Sequence, residues 1–134
     1  MGTALRSNRS IPPPRVLLAE DDAPFAAPLV RILELNGYAV VWVDNGDAAL
    51  ERMGEADCLL LDMGLPGHDG VEVAQTAALR FPGLPVILMS GRHGPGEIPE
   101  ALTRRLLGFL PKPFLPADLL GLLDRVQPAG PARS

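Results

Sequence analysis

Five short apolar runs recur along the chain: RVLLA at 15–19, YAVVWV at 38–43, CLLLD at 58–62, LPVILMS at 84–90 and GFLPK at 108–112. Bounded by polar and turn-forming residues, each reads as a strand. Helical spacing fills the intervals. Asp22 is placed to cap a helix with apolar positions Phe25, Leu29, Ile32 and Leu33, closed by Asn36-Gly37. Pro28 interrupts that pattern at a cost of about 3 kcal/mol. Further helices are expected over 47–53 and 71–81, a brief one over 100–107, and a last one from Pro116 through Leu119, Leu122, Leu123 and Val126. Five strands alternating with five helical segments specify an α/β fold. The sheet is doubly wound, parallel and covered on both faces, because short β-to-α connections favour right-handed crossovers.

A chain of 134 residues, 47% apolar and 21% charged, suits one soluble globular domain. That domain is expected over 15–126, with a polar, proline-rich tail at 1–14 and a second tail at 127–134. The net charge of −4 provides no basic footprint for a phosphate backbone, so direct nucleic-acid binding is not expected. No run approaches the roughly 20 apolar residues of a membrane span, and the N-terminus lacks a signal-peptide core, so a cytoplasmic protein is expected. The single cysteine, Cys58, reads as a small buried residue.

In doubly wound sheets, ligands gather at the carboxyl ends of the strands, near the point where strand order reverses. Four of the five runs end there in a residue that can do chemistry: Glu20 and Asp21, Asp62, Ser90 and Lys112. Lys112 is the only lysine among twelve basic residues. If the strand order is 2-1-3-4-5, the first and third strands are neighbours and Asp21 faces Asp62. Carboxylates that close repel unless a proton or cation intervenes, and a few oxygen ligands with water suit Mg2+. A carboxylate beside a metal ion, an ammonium and a hydroxyl is a site for a phosphoryl group, with Asp62 as its nucleophile.

The motifs VLLAEDDAP, LLLDMGLPGHDG, VILMSG and FLPKPF, in this order and spacing, resemble the receiver domain of two-component response regulators from about Arg15 to Val126. The resemblance implies the flavodoxin-like, CheY-like fold with strand order 2-1-3-4-5. It implies Asp62 as phosphoacceptor, charged from a phosphohistidine on a histidine kinase or phosphotransfer protein. Asp21 would bind Mg2+ directly, Glu20 through water, and Gly64 through its carbonyl, beside Asp62 itself. Lys112 would pair with the phosphate, a task suited to a compact ammonium. The Ser90 hydroxyl would swing to a phosphate oxygen, Phe109 would turn inward behind it, and the Lys112-Pro113 bond would be cis. The surface of the fourth helix, fifth strand and fifth helix would then be read by a downstream protein partner. Such a domain is a signalling module that catalyses only its own phosphorylation and dephosphorylation.

Rival readings are a haloacid dehalogenase-type phosphatase, a flavodoxin, or an interaction module that is never phosphorylated. No D-x-D follows the first run and no Ser/Thr/Gly-rich phosphate loop replaces its acids, which disfavours the first two. A stand-alone regulator and the receiver of a hybrid histidine kinase both fit, and a homodimer on activation is left open. Asp22 reads as a helix cap, Asp69 as a turn residue, Trp42 as packing, and His68 and His93 as exposed loop residues. The stretch GRHGPGEIPEAL departs from a smooth fourth helix, and the segment from Gly91 to Leu107 is expected to be mobile. Gly64 offers no side chain to hinder water, which implies a phosphorylated state that is not especially long-lived.

Overall fold

The structure, a computed structural model, describes residues 12–126. Strands β1 (Arg15–Ala19), β2 (Ala39–Val43), β3 (Cys58–Asp62), β4 (Val86–Ser90) and β5 (Gly108–Pro111) form one parallel sheet in the order β2-β1-β3-β4-β5. Helices α1 (Ala23–Leu35), α2 (Gly46–Arg52), α3 (Gly70–Arg80), α4 (Glu100–Thr103) and α5 (Pro116–Leu123) alternate with them. Short 3-10 turns follow at Met53–Glu55 and Pro95–Glu97. The expected tails lie, apart from residues 12–14, outside the described residues. Pro14 already belongs to the sheet's edge: it is buried, and its carbonyl accepts from the Ala39 N–H at 2.9 Å.

Alternation along each strand divides the core in two. Leu17, Leu59, Leu61 and Leu88 pack on one face with Ala49 and Met53, and with Val73, Ala74 and Ala77 of α3. Val16, Leu18, Leu60, Ile87 and Met89 pack on the other with Leu29 and Leu33 of α1 and with Leu119 and Leu123 of α5. Strands buried on both faces are why these runs are continuously apolar rather than alternating. In register, Leu17 stands beside Val41 on one side and Leu59 on the other, so β1 lies inside the sheet between β2 and β3, and the chain reverses its direction of travel there.

Element ends differ from the sequence reading where backbone groups bond elsewhere. Tyr38 is left out of β2 because its N–H returns to the Leu33 carbonyl, closing α1, with Gly37 at φ +91°. β4 begins at Val86 because the Leu84 N–H is used by the Phe81 carbonyl in a turn and Pro85 has none to give. α1 runs through Pro28. That proline is exposed, so water can serve the carbonyl left without a donor. The helix expected over 100–107 is a single turn, since the Leu107 N–H is already drawn to the Val86 carbonyl at the start of β5. In the 91–107 segment, expected to be mobile, the Arg92 and His93 N–H groups donate to the Ser90 hydroxyl oxygen and the Gly94 N–H donates to the Glu97 carboxylate.

Candidate functional site

At the carboxyl edge of the sheet, β1 delivers Glu20 and Asp21 and β3 delivers Asp62. Each offers one carboxylate oxygen, and these three atoms lie within 4.8 Å of one another. Glu20 is 1% exposed and Asp62 8%, while Asp21 faces solvent. Lys112, directly after β5, reaches across the edge: its Nζ stands 2.5 Å from Glu20 Oε1 and 3.0 Å from Asp62 Oδ1. Backbone donors complete the carboxylates' partners, Asp22 N–H to Glu20 Oε2 at 3.1 Å and Gly64 N–H to Asp62 Oδ2 at 3.2 Å.

Burial raises the carboxyl pKa of Glu20 above its ordinary value, against the opposing hydrogen bonds from Lys112 and the Asp22 N–H. For Lys112, loss of solvent alone would lower the pKa, but its bonds to Glu20 and Asp62 outweigh it and raise the value. Three carboxylates against one ammonium leave two negative charges, which one divalent cation would balance. An all-oxygen donor set with one member open to water fits Mg2+.

Ser90, 4% exposed, ends β4 beside this group, but its hydroxyl is engaged in the following loop. It accepts from the N–H of Arg92 at 3.1 Å and of His93 at 2.7 Å. Its carbonyl accepts the Lys112 N–H at 2.8 Å, which registers the lysine against β4. The Lys112-Pro113 bond is cis. Phe109 is half-buried against the core on the α2 and α3 face. The edge thus gathers Glu20, Asp21, Asp62, Gly64 and Lys112, with the Ser90 hydroxyl turned to its own loop and Phe109 set on one face of β5.

Two aromatic residues read from the sequence as packing also serve this edge. The Trp42 indole N–H donates to the Glu20 carbonyl at 2.9 Å, from a ring 39% exposed at the end of β2. Phe25 lies under the Lys112 ammonium, 4.3 Å from ring centroid to Nζ, and meets Phe114 edge-on with centroids 5.8 Å apart. The position of Phe25, one helical turn after Asp21, was the only sequence signal for its part, and nothing local marked Trp42. Of the loop residues, Asp69 caps α3 in a reciprocal pair with Glu72. His68 is exposed and meets Asp47 at 2.5 Å, whereas His93 is half-buried and lies against Ser90.

Remote from the site, at the amino end of the sheet, Asp57 is 1% exposed and bonded by the Arg15 N–H at 2.8 Å and Nε at 3.2 Å. Among the described residues no helix is long and apolar enough to cross a membrane.

Comparison with known proteins agrees with this geometry. The family model described as "Response regulator receiver domain" matches residues 16–124. Response regulator receiver protein CpdR of Brucella abortus is 36% identical over 114 residues, covering 84% of this chain and 95% of its own length. Response regulator MprA of Mycobacterium leprae is 33% identical over 126 residues, 90% of this chain but 55% of that protein. The chain therefore spans nearly all of one relative and about half of another. Among solved structures, a CheY-like receiver domain protein from Methanospirillum hungatei superposes with TM-score 0.75 at 26% identity, over 83% of this chain and 90% of that one. The non-phosphorylated HemR receiver domain of Leptospira biflexa gives 0.74 at 30% identity, over 84% and 92%. With the sheet order, the acidic edge and these likenesses in agreement, the chain belongs to the response regulator receiver domain family.

Proposed function

We propose that the chain is the phosphoacceptor of a two-component phosphorelay, with Asp62 taking a phosphoryl group from a phosphohistidine on a histidine kinase or phosphotransfer protein. The observation that carries this reading is the Lys112 ammonium 3.0 Å from Asp62 Oδ1, at an edge where three carboxylate oxygens gather. In the transfer an Asp62 oxygen attacks phosphorus. The O–P bond forms as the partner's N–P bond breaks, and the partner's histidine departs with that electron pair.

Lys112 pairs with the phosphoryl oxygens by turning from the carboxylates it now bridges, which a compact ammonium on a flexible stem allows. Glu20, Asp21, Asp62 and the Gly64 carbonyl would hold Mg2+, which when bound neutralises charge on the phosphoryl oxygens. Ser90 leaves its loop to donate to a phosphoryl oxygen, and Phe109 follows toward the core. These contacts exist in one arrangement only, so they bias the surface of α4, β5 and α5 toward a downstream protein partner. Residues 15–126 form the working unit, and the bare backbone at Gly64 leaves water a path for hydrolysis.

Incubation with Mg2+ and acetyl phosphate, followed by intact-mass measurement, tests the reading beside Asp62→Asn. A gain of one phosphoryl group in the parent alone is expected. No gain, or a gain in both, overturns it.

A further inference from the structure

We propose that His93 is a positioning residue for Ser90, holding the hydroxyl in the 91–97 loop and opposing its move toward Asp62; the inference rests on the role given above to Ser90. Three nitrogens converge on Ser90 Oγ: the N–H of His93 at 2.7 Å, the N–H of Arg92 at 3.1 Å and His93 Nδ1 at 3.4 Å. A hydroxyl has two lone pairs and one proton. The two amides take the lone pairs, so the proton is directed at Nδ1, which acts as acceptor. The ring proton then sits on Nε2, and that nitrogen faces Glu97 Oε1 at 4.0 Å. Glu97 is held in turn by the Gly94 N–H, which donates to its Oε2 at 3.2 Å.

The glycine- and proline-rich run is therefore a closed loop in which every hydrogen-bonding capacity of the Ser90 hydroxyl is already used. Ser90 is 4% exposed, so water does not readily replace a bond broken there. The two backbone donors are present whatever residue stands at 93. The ring is the part that residue identity sets, and its Nδ1 is the acceptor offered, among the described residues, to the proton that a phosphoryl oxygen would need. Freeing the hydroxyl costs this bond, so the ring raises the barrier to the phosphorylated arrangement.

The test compares phosphorylation by sub-saturating acetyl phosphate with Mg2+ in the parent, His93→Ala and His93→Asn, and in both variants combined with Ser90→Ala. Loss of one hydrogen bond predicts a rate roughly threefold higher in His93→Ala. His93→Asn, whose amide oxygen can stand where Nδ1 stands, stays near the parent. In the Ser90→Ala background the effect of His93→Ala disappears. An unchanged rate in His93→Ala, or the same change without the Ser90 hydroxyl, overturns the proposal. Amide exchange at residue 92 in the unphosphorylated protein gives a second readout, expected to be roughly threefold faster in His93→Ala. A parent that gains no phosphoryl group overturns the phosphoacceptor reading, whereas unchanged exchange in a parent that does gain one overturns only the role of His93.

Discussion

Lys112 Nζ lies 3.0 Å from Asp62 Oδ1, and the same ammonium sits 2.5 Å from Glu20, a carboxylate with 1% of its surface exposed. One lysine thus pairs with two acids of the edge, and the consequences of removing it follow from what is left behind.

Lys112→Ala strands Glu20 as a buried charge. A stability loss of about 3 kcal/mol is expected, the low end for a broken buried pair because Lys112 keeps some solvent contact. Glu20→Gln in the same chain should recover about half, since the uncompensated charge is then gone. Urea unfolding of the four combinations checks this, and simple additivity of the two substitutions refutes it.

Glu20 also makes stability depend on pH. Its folded-state pKa is raised, with burial as the main cause. The stabilisation from its protonated form is therefore complete below the unfolded value and is lost as pH rises through the folded one. In the proposed Mg2+ site the Glu20 carboxylate would have to be ionised, so stabilisation by Mg2+ is expected to grow over that same interval. Melting curves with and without millimolar Mg2+ should show a larger upward shift at about pH 7.5 than at about pH 5. An equal or larger shift at the lower pH contradicts the expectation.

Phe25 places its ring face 4.3 Å from the Lys112 ammonium. Phe25→Leu retains apolar volume but removes the aromatic face, and should cost about 1 kcal/mol. Phe25→Tyr restores the ring and most of the loss. Chemical denaturation measures both. Equal stability of the leucine and tyrosine variants would show that the ring face contributes nothing to holding Lys112.

Glycines near the site divide by what surrounds them. A Cβ at Gly70 would meet the backbone of Asp62 and Met63, so Gly70→Ala must displace the strand end that carries Asp62. A loss of about 1–3 kcal/mol is expected, with slower phosphorylation. Gly96 has nothing within 4 Å of such an atom, and Gly96→Ala should be neutral or stabilising by about 0.5 kcal/mol. Thermal melts of the two variants that fail to separate in this way count against the packing described around Asp62.

Much of the fold was legible because its signals are local. The runs at 15–19 and 58–62 have the bounds of β1 and β3, since both end where apolar residues give way to acids. Asp22 caps α1 as its spacing required, its side-chain oxygen accepting the Phe25 N–H at 3.3 Å. The 91–107 segment was least legible. Its order comes from side-chain bonds such as Glu97 to Gly94, and glycine-rich composition does not announce them.

By itself, the amino-acid order determined the alternation of strands and helices, the acids and hydroxyl at strand ends, and the presence of one lysine. Periodicity, capping and chain breaks act over a few residues and are written in consecutive positions. Only the tertiary structure decided that Lys112 spans 92 residues of sequence to bond Glu20, that Phe25 lies beneath it, that Trp42 holds the Glu20 carbonyl, and that the Ser90 hydroxyl faces its own loop. Those relationships depend on which strands lie side by side and in what register, and packing across the whole sheet sets both.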